Sequence, residues 1–214
     1  MAGPHEILGM SRVLGIGTNE FLSRYTDNGG TTLRSEEDGR CVFLTPSGCR
    51  VHPRRPVVCR LYPLGRTTDG RGEERFAVFP AQPECEAVVG RDGTVGSFLE
   101  SQGVGPYLEW SRSYGELYRR MVFLLEGLDA EGKLDAPAET GSQVPTDGPA
   151  RTHLSSWQDI DASLAEYCAA KGIAVPAEID EAIALHLRAM EEWLDDLEAR
   201  LADVRNNPKG DREP

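Results

Sequence analysis

Residues 40–66, RCVFLTPSGCRVHPRRPVVCRLYPLGR, constrain this chain more than any other stretch. They hold Cys41, Cys49 and Cys59, six arginines (Arg40, Arg50, Arg54, Arg55, Arg60, Arg66), His52 and four prolines (Pro46, Pro53, Pro56, Pro63), with no acidic residue. Each proline removes a backbone donor and fixes φ, so neither a long helix nor a central strand can run through the segment. Thiols set in a cation-rich, turn-rich segment read as a ligand cradle for a metal or cluster.

Local signals divide the cradle. Cys41–Leu44 is a β-capable run, as is Thr31–Leu33 before it. Ser47-Gly48 makes a tight turn after Pro46, which predicts a hairpin with Cys41 and Cys49 near each other across it. Arg55-Pro56 forces an extended step, and Val57–Leu61 delivers Cys59 on a short strand or a helical turn. Thr67–Arg75 reads as a polar loop and Phe76–Phe79 as a strand leading to Cys85.

Helical patterns flank this region. Pro4 suits a first helical turn, and Ile7, Met10 and Leu14 recur at helical spacing over residues 4–14. Thr18 is placed to cap a second helix, Asn19–Tyr25, and Asp27-Asn28-Gly29-Gly30 is a turn. Thr94 caps a helix ending at Gly103. Pro106 opens a longer one striped by Tyr107, Trp110, Tyr114, Leu117, Met121, Leu124 and Leu128, a core stripe expected to pack over the cysteine loops. Residues 129–155 have the composition of a linker. Ser155 or Ser156 caps helix Trp157–Lys171, which Gly172 ends, and Pro176 opens a last helix. Its stripe of Ile183, Leu187, Met190, Leu194, Leu197, Leu201 and Val204 suits packing on the chain's own helices or, alternatively, a coiled coil. The expected organisation is therefore a mainly α chain: a cysteine-bearing domain over 1–128 with irregular loops and a small β-hairpin, a linker over 129–155, a helical hairpin over 156–207 and a disordered tail over 208–214.

Charge and cysteine usage narrow the function classes. Residues 1–130 carry 15 basic and 17 acidic side chains and residues 131–214 carry 8 and 18, so the net −12 belongs mainly to the C-terminal part. That balance disfavours general nucleic-acid binding. No apolar run reaches the roughly 18–20 residues of a membrane span, and no secretory signal is visible, so a cytoplasmic location is expected. In a reducing compartment, clustered cysteines point to metal or redox chemistry rather than structural disulfides.

The spacing is Cys41-x7-Cys49-x9-Cys59-x25-Cys85, without the C-x2-C pair of a zinc knuckle. Arg50, Arg54, Arg55 and Arg60 are placed to favour thiolate and offset the charge of a multi-thiolate site. His52 offers a nitrogen ligand or, beside Pro53, only a turn. Cys168, in the middle of a helix, reads as a packed thiol.

The pairs Phe43-Leu44, Gly48-Cys49, Arg55-Pro56, Cys59-Arg60 and Tyr62-Pro63 resemble the second half of the YkgJ-type cysteine-cluster family, the zinc- or iron-chelating CxxCxxCC domain. Gly15-Ile16, Phe21-Leu22, Gln102-Gly103 and Tyr107 extend the resemblance over about residues 4–125. It implies zinc or iron, or an iron–sulfur cluster, held by Cys41, Cys49, Cys59 and Cys85. The family's name-giving CxxCxxCC motif would lie upstream of Pro4, where this chain has no cysteine, so the expectation is an N-terminal truncation or a member with half its ligands. Flagellin lysine N-methylases carry a related region, which makes a cluster-dependent protein-modifying enzyme one alternative, although no G-x-G-x-x-G loop is present. The other is a metal-stabilised scaffold that self-associates or holds a protein partner through the acidic helix 176–205.

Overall fold

The computed structural model describes residues 2–69, 73–79, 93–130 and 157–206. It is mainly α, as the helical patterns require, and among the described residues it carries three small antiparallel two-stranded sheets where one hairpin was expected. Helix α1 (Pro4–Leu14) starts with proline and ends on Gly15 in the left-handed conformation, closing two backbone bonds to Ser11 and Arg12. Helix α2 (Thr18–Tyr25) is capped by Gly17, one residue earlier than expected. The Thr18 hydroxyl is engaged elsewhere, donating to Asp159 and accepting from the Asp161 N–H at 3.1 Å.

Strands β1 (Thr26–Asp27) and β2 (Thr32–Leu33) pair around a 3-10 turn over Asn28–Gly30. Strands β3 (Leu44–Thr45) and β4 (Gly48–Cys49) form the predicted hairpin, in a register that sets Cys49 opposite Leu44. Cys41 therefore does not face Cys49 across that hairpin. It pairs as an isolated bridge with Ser35, because Leu44 N–H folds back onto the Cys41 carbonyl at 2.9 Å and ends the strand early. A 3-10 turn (His52–Arg54) leads into helix α3 (Val57–Leu61), so the segment carrying Cys59 is helical. The expected loop from Thr67 is in part a strand: β5 (Leu64–Thr68) pairs with β6 (Glu74–Val78) over five residue pairs.

Helix α4 (Val95–Ser101) is capped by Thr94, whose hydroxyl accepts from Ser97 N–H at 3.1 Å. Helix α5 (Gly105–Ala130) takes in the first two residues of what composition assigns to the linker, Asp129 and Ala130; the remainder, 131–155, and the tail, 208–214, lie outside the described residues. Helix α6 (Ile160–Lys171) starts three residues later than expected and is capped by Asp159, whose Oδ1 accepts from Ala162 N–H at 3.2 Å, and Gly172 closes it in the left-handed conformation; the proposed caps Ser155 and Ser156 lie outside the described residues. Helix α7 (Ile179–Asn206) begins three residues after Pro176.

Among the described residues three apolar clusters hold these elements. Ile7, Met10, Phe21, Tyr25, Phe43 and Val51 join α1 and α2 to the cysteine hairpin. Val57 and Leu61 meet Val104, Tyr107 and Leu108. The largest cluster joins Leu8, Tyr114, Met121, Trp157, Ile160, Leu164, Ile183, Met190 and Leu194. The α5 stripe thus divides: its first turn covers α3, while Tyr114, Met121 and Leu124 face α6 and α7 rather than the cysteine loops. The α7 stripe is spent in this same core through Ile183, Met190 and Leu194.

Candidate metal site

The apolar residues between the cysteines go inward and leave the thiols outside. Phe43 and Val51, each 1% exposed, anchor the β3–β4 hairpin against Phe21, Met10 and Ile7. In α3, Val57 and Leu61 are one helical turn apart and share the buried face, which turns Cys59, midway between them, toward solvent. Cys41 and Cys59 are exposed, Cys49 is half-buried, and all three are free thiols. Cys168 is a buried free thiol within α6, packed as its helical position suggests.

Cys59 lies within electrostatic reach of both Cys41 and Cys49. Although Cys59 is exposed, partial desolvation by its surroundings pushes its thiol up from its ordinary value, the neighbouring Cys41 and Cys49 push it further, and Glu6 adds to them, while Arg55 opposes them. This reverses the expectation that the arginines favour thiolate at Cys59: desolvation and like charge outweigh the guanidinium. Among the described residues no three histidine, cysteine or carboxylate side chains converge on one point as a preformed metal cage. Cys85 lies outside the described residues.

The arginines are employed in bracing the loop. Arg60 donates from Nη1 to the Gln102 carbonyl at 2.8 Å, from Nε to the Arg55 carbonyl at 3.1 Å, and from Nη2 to the Pro53 carbonyl at 2.7 Å and Tyr107 Oη at 3.0 Å. Its guanidinium carbon lies 4.3 Å from the centre of the Tyr107 ring. Arg55 donates to Gln102 Oε1 at 2.8 Å and to the His52 carbonyl at 3.0 Å. His52 is exposed in its 3-10 turn, with Nδ1 3.4 Å from Arg55, and stands as a turn residue. Arg54 runs beside Gly9 of α1, where an added Cβ would sit 3.4 Å from the Arg54 Cβ.

One residue that motif reasoning passed over ties this region to α1. Glu6, 2% exposed, accepts from Val57 N–H at 2.6 Å and from Gly3 N–H at 2.9 Å. Burial raises its pKa, while those two backbone bonds pull against the shift. An acidic residue three positions after Gly3 signals its bond to the helix start. Its reach to the first residue of α3 leaves no sequence signal.

A helical frame that presents several free thiols from short hairpins and a helical turn defines a cysteine-cluster domain. Residues 5–85 match the family model CxxCxxCC, described as "Putative zinc- or iron-chelating domain", a family that the YkgJ-type label fits. No curated protein and no solved structure matches the chain. No helix among the described residues is long and apolar enough to cross a membrane.

Proposed function

We propose that Cys41, Cys49 and Cys59, with Cys85, hold zinc or iron, the iron either as a single ion or in an iron–sulfur cluster. The observation that carries this reading is a set of free thiols left outside the core, with Cys41 and Cys49 both close enough to Cys59 to act on its charge, in a region that matches a family model described as zinc- or iron-chelating. The donor set suits the chemistry, since zinc and iron–sulfur clusters both take thiolate ligands. Binding would release the thiol protons, and the positive charge of the metal would offset the cost that partial desolvation and mutual repulsion impose on a charged Cys59. As no three donors are preassembled among the described residues, loading is expected to draw the β3–β4 loop and α3 together and so to stabilise the fold.

The test is metal analysis of the anaerobically purified chain beside a Cys41→Ser/Cys49→Ser/Cys59→Ser variant. The expected result is about one equivalent of zinc, or iron with visible absorption if a cluster forms, lost in the variant together with a rise in melting temperature on loading. Equal metal content in both proteins, or none in either after reconstitution with zinc and with iron plus sulfide, would sink the proposal.

A further inference from the structure

Cys59 sits in a helix too short to hold itself. Helix α3 has five residues, and its N-cap, Pro56, makes no side-chain cap bond and has no N–H of its own. The turn closes through the Pro56 carbonyl, which accepts from Cys59 N–H at 2.9 Å and from Arg60 N–H at 3.1 Å. The first amide is that of Val57, a residue only 9% exposed. A buried N–H needs an acceptor, and the first residue of a helix has none within it.

Glu6 supplies that acceptor from 51 residues away. One carboxylate oxygen accepts from Val57 N–H at 2.6 Å and the other from Gly3 N–H at 2.9 Å, so a single side chain caps the starts of α1 and α3 together. A carboxylate offers two acceptor oxygens for this task, whereas the nitrogen of a side-chain amide only donates. Three residues along the same face of α1, Gly9 lets the turn before α3 come close, since an added Cβ there would stand 3.4 Å from the Arg54 Cβ. Helix α1 thus seats the chain on the N-terminal side of Cys59, as Arg60 with Tyr107 and the Gln102 carbonyl seats it on the other.

The geometry points to Glu6 as the positioning residue of the thiol set, the side chain that fixes α3 so that Cys59 is held toward Cys41 and Cys49; this deepens the metal reading above and rests on it for what the thiols hold. Both oxygens of Glu6 are spent on backbone N–H groups, so it acts through α3 rather than as a ligand. Without the carboxylate, Val57 N–H is stranded beneath the turn. Unwinding the turn to bring that amide to water swings Cys59 away from the other two thiols.

Phenylarsine oxide, which closes a ring only across thiols held close together, is the probe, applied to the reduced, metal-free chain and read by mass mapping of the bridged peptides. The wild-type chain should bridge Cys59 to Cys41 or Cys49. Glu6→Ala should lower that yield at least about fivefold, which is what one stranded buried N–H takes from an equilibrium. Whichever of zinc and iron the wild-type chain takes up should be held more weakly by a similar factor. Thr18→Val, which loosens α2 from α6 and leaves the bonds of α3 in place, should not change the bridge, a separation that a general loss of stability would not give. If the alanine variant fails to fold, amide exchange in the wild-type chain decides: Val57 should exchange at least about tenfold more slowly than the exposed Val58, and equal rates overturn the inference. A wild-type yield in Glu6→Ala, an equal loss in Thr18→Val, or no bridge to Cys59 in the wild-type chain also overturns it. A wild-type chain that bridges as expected, loses the bridge in Glu6→Ala and takes up neither zinc nor iron upholds the positioning role and sinks the metal reading alone.

Discussion

Replacing Arg60 with alanine should loosen the cysteine segment from its helical support more than any other single surface change. The guanidinium serves three carbonyls and the Tyr107 hydroxyl, and stacks 4.3 Å from the Tyr107 ring. Three of those bonds are partly buried, at roughly 1 kcal/mol net each, and the exposed one to Pro53 adds little. The ring contact contributes about 0.5–1 kcal/mol. Arg60→Ala should therefore cost about 3–4 kcal/mol, which in a chain of this length corresponds to a fall in melting temperature of about 10 °C. Arg60→Lys restores a charge without the planar fork and should cost about 2 kcal/mol. Urea denaturation followed by circular dichroism, with chelator present so that metal adds nothing, measures both. A double-mutant cycle with Tyr107→Phe should return a coupling of about 0.5–1 kcal/mol, because phenylalanine keeps the ring and loses one acceptor. If alanine costs less than 1 kcal/mol, or lysine as much as alanine, the bracing role assigned to the guanidinium is wrong.

Two further outcomes follow from buried polar groups. His5 and His186 both have pKa values lowered to about 4 by burial, so the unfolded chain takes up protons that the native chain refuses. Their contribution is present above about pH 6.5 and is lost as pH falls toward 4, by about 1.4 kcal/mol per pH unit for each histidine. Glu6, its pKa raised by burial, works in the opposite sense as it approaches protonation. The urea midpoint should accordingly drop between pH 6.5 and 5, less steeply in His186→Gln; a flat profile in the wild-type chain would contradict the burial of both rings. Thr18→Val removes the hydroxyl that donates to Asp159 and accepts from Asp161 N–H, and should cost about 2 kcal/mol by stranding the buried cap of α6. The measurement is again the urea midpoint, and a change below 0.5 kcal/mol would show that the cap is satisfied without it.

Helix existence was legible in the sequence wherever period and punctuation agreed: Pro4 with Gly15, Thr94 with Gly103, and Gly172 at the end of α6. Partners across the fold were not. Thr18 has the chemistry of a cap, yet its hydroxyl serves Asp159 and Asp161, some 140 residues further along the chain, and Gly17 takes the cap position. The hairpin at Ser47-Gly48 was legible from its turn, while its two-residue length was not, so Cys41 was expected opposite Cys49 where Leu44 stands. The arginines illustrate the same limit. Composition shows cations near thiols; only the fold shows Arg55 and Arg60 occupied by backbone carbonyls and Gln102. The charge effect read from proximity in sequence therefore failed at Cys59, where desolvation and neighbouring thiols dominate.

Helix α1 is the element through which the thiol-bearing segment and the C-terminal helices share one frame. Ile7 and Met10 pack with Phe43 and Val51 beneath the cysteine hairpin, whereas Leu8 packs with the α6–α7 core. Between those faces Glu6 holds the first amide of α3, and Arg12 forms an ion pair with Asp161 of α6, whose carboxyl is held below its ordinary range: burial acts to raise it, and the bonds from Arg12 and Thr18 prevail. Helix α5 repeats the arrangement, with Tyr107 against α3 and Arg60 at one end and Tyr114 against His186 further along. A displacement of α3 must therefore be absorbed by Glu6 and Tyr107, both anchored in helices that also touch the α6–α7 pair. The exposed thiols are free to respond to a ligand because Phe43, Val51, Val57 and Leu61 carry the packing in their place. That separation of tasks, apolar neighbours fixing the backbone and cysteines left at the surface, is what the alternation of residue types between Cys41 and Leu61 encodes.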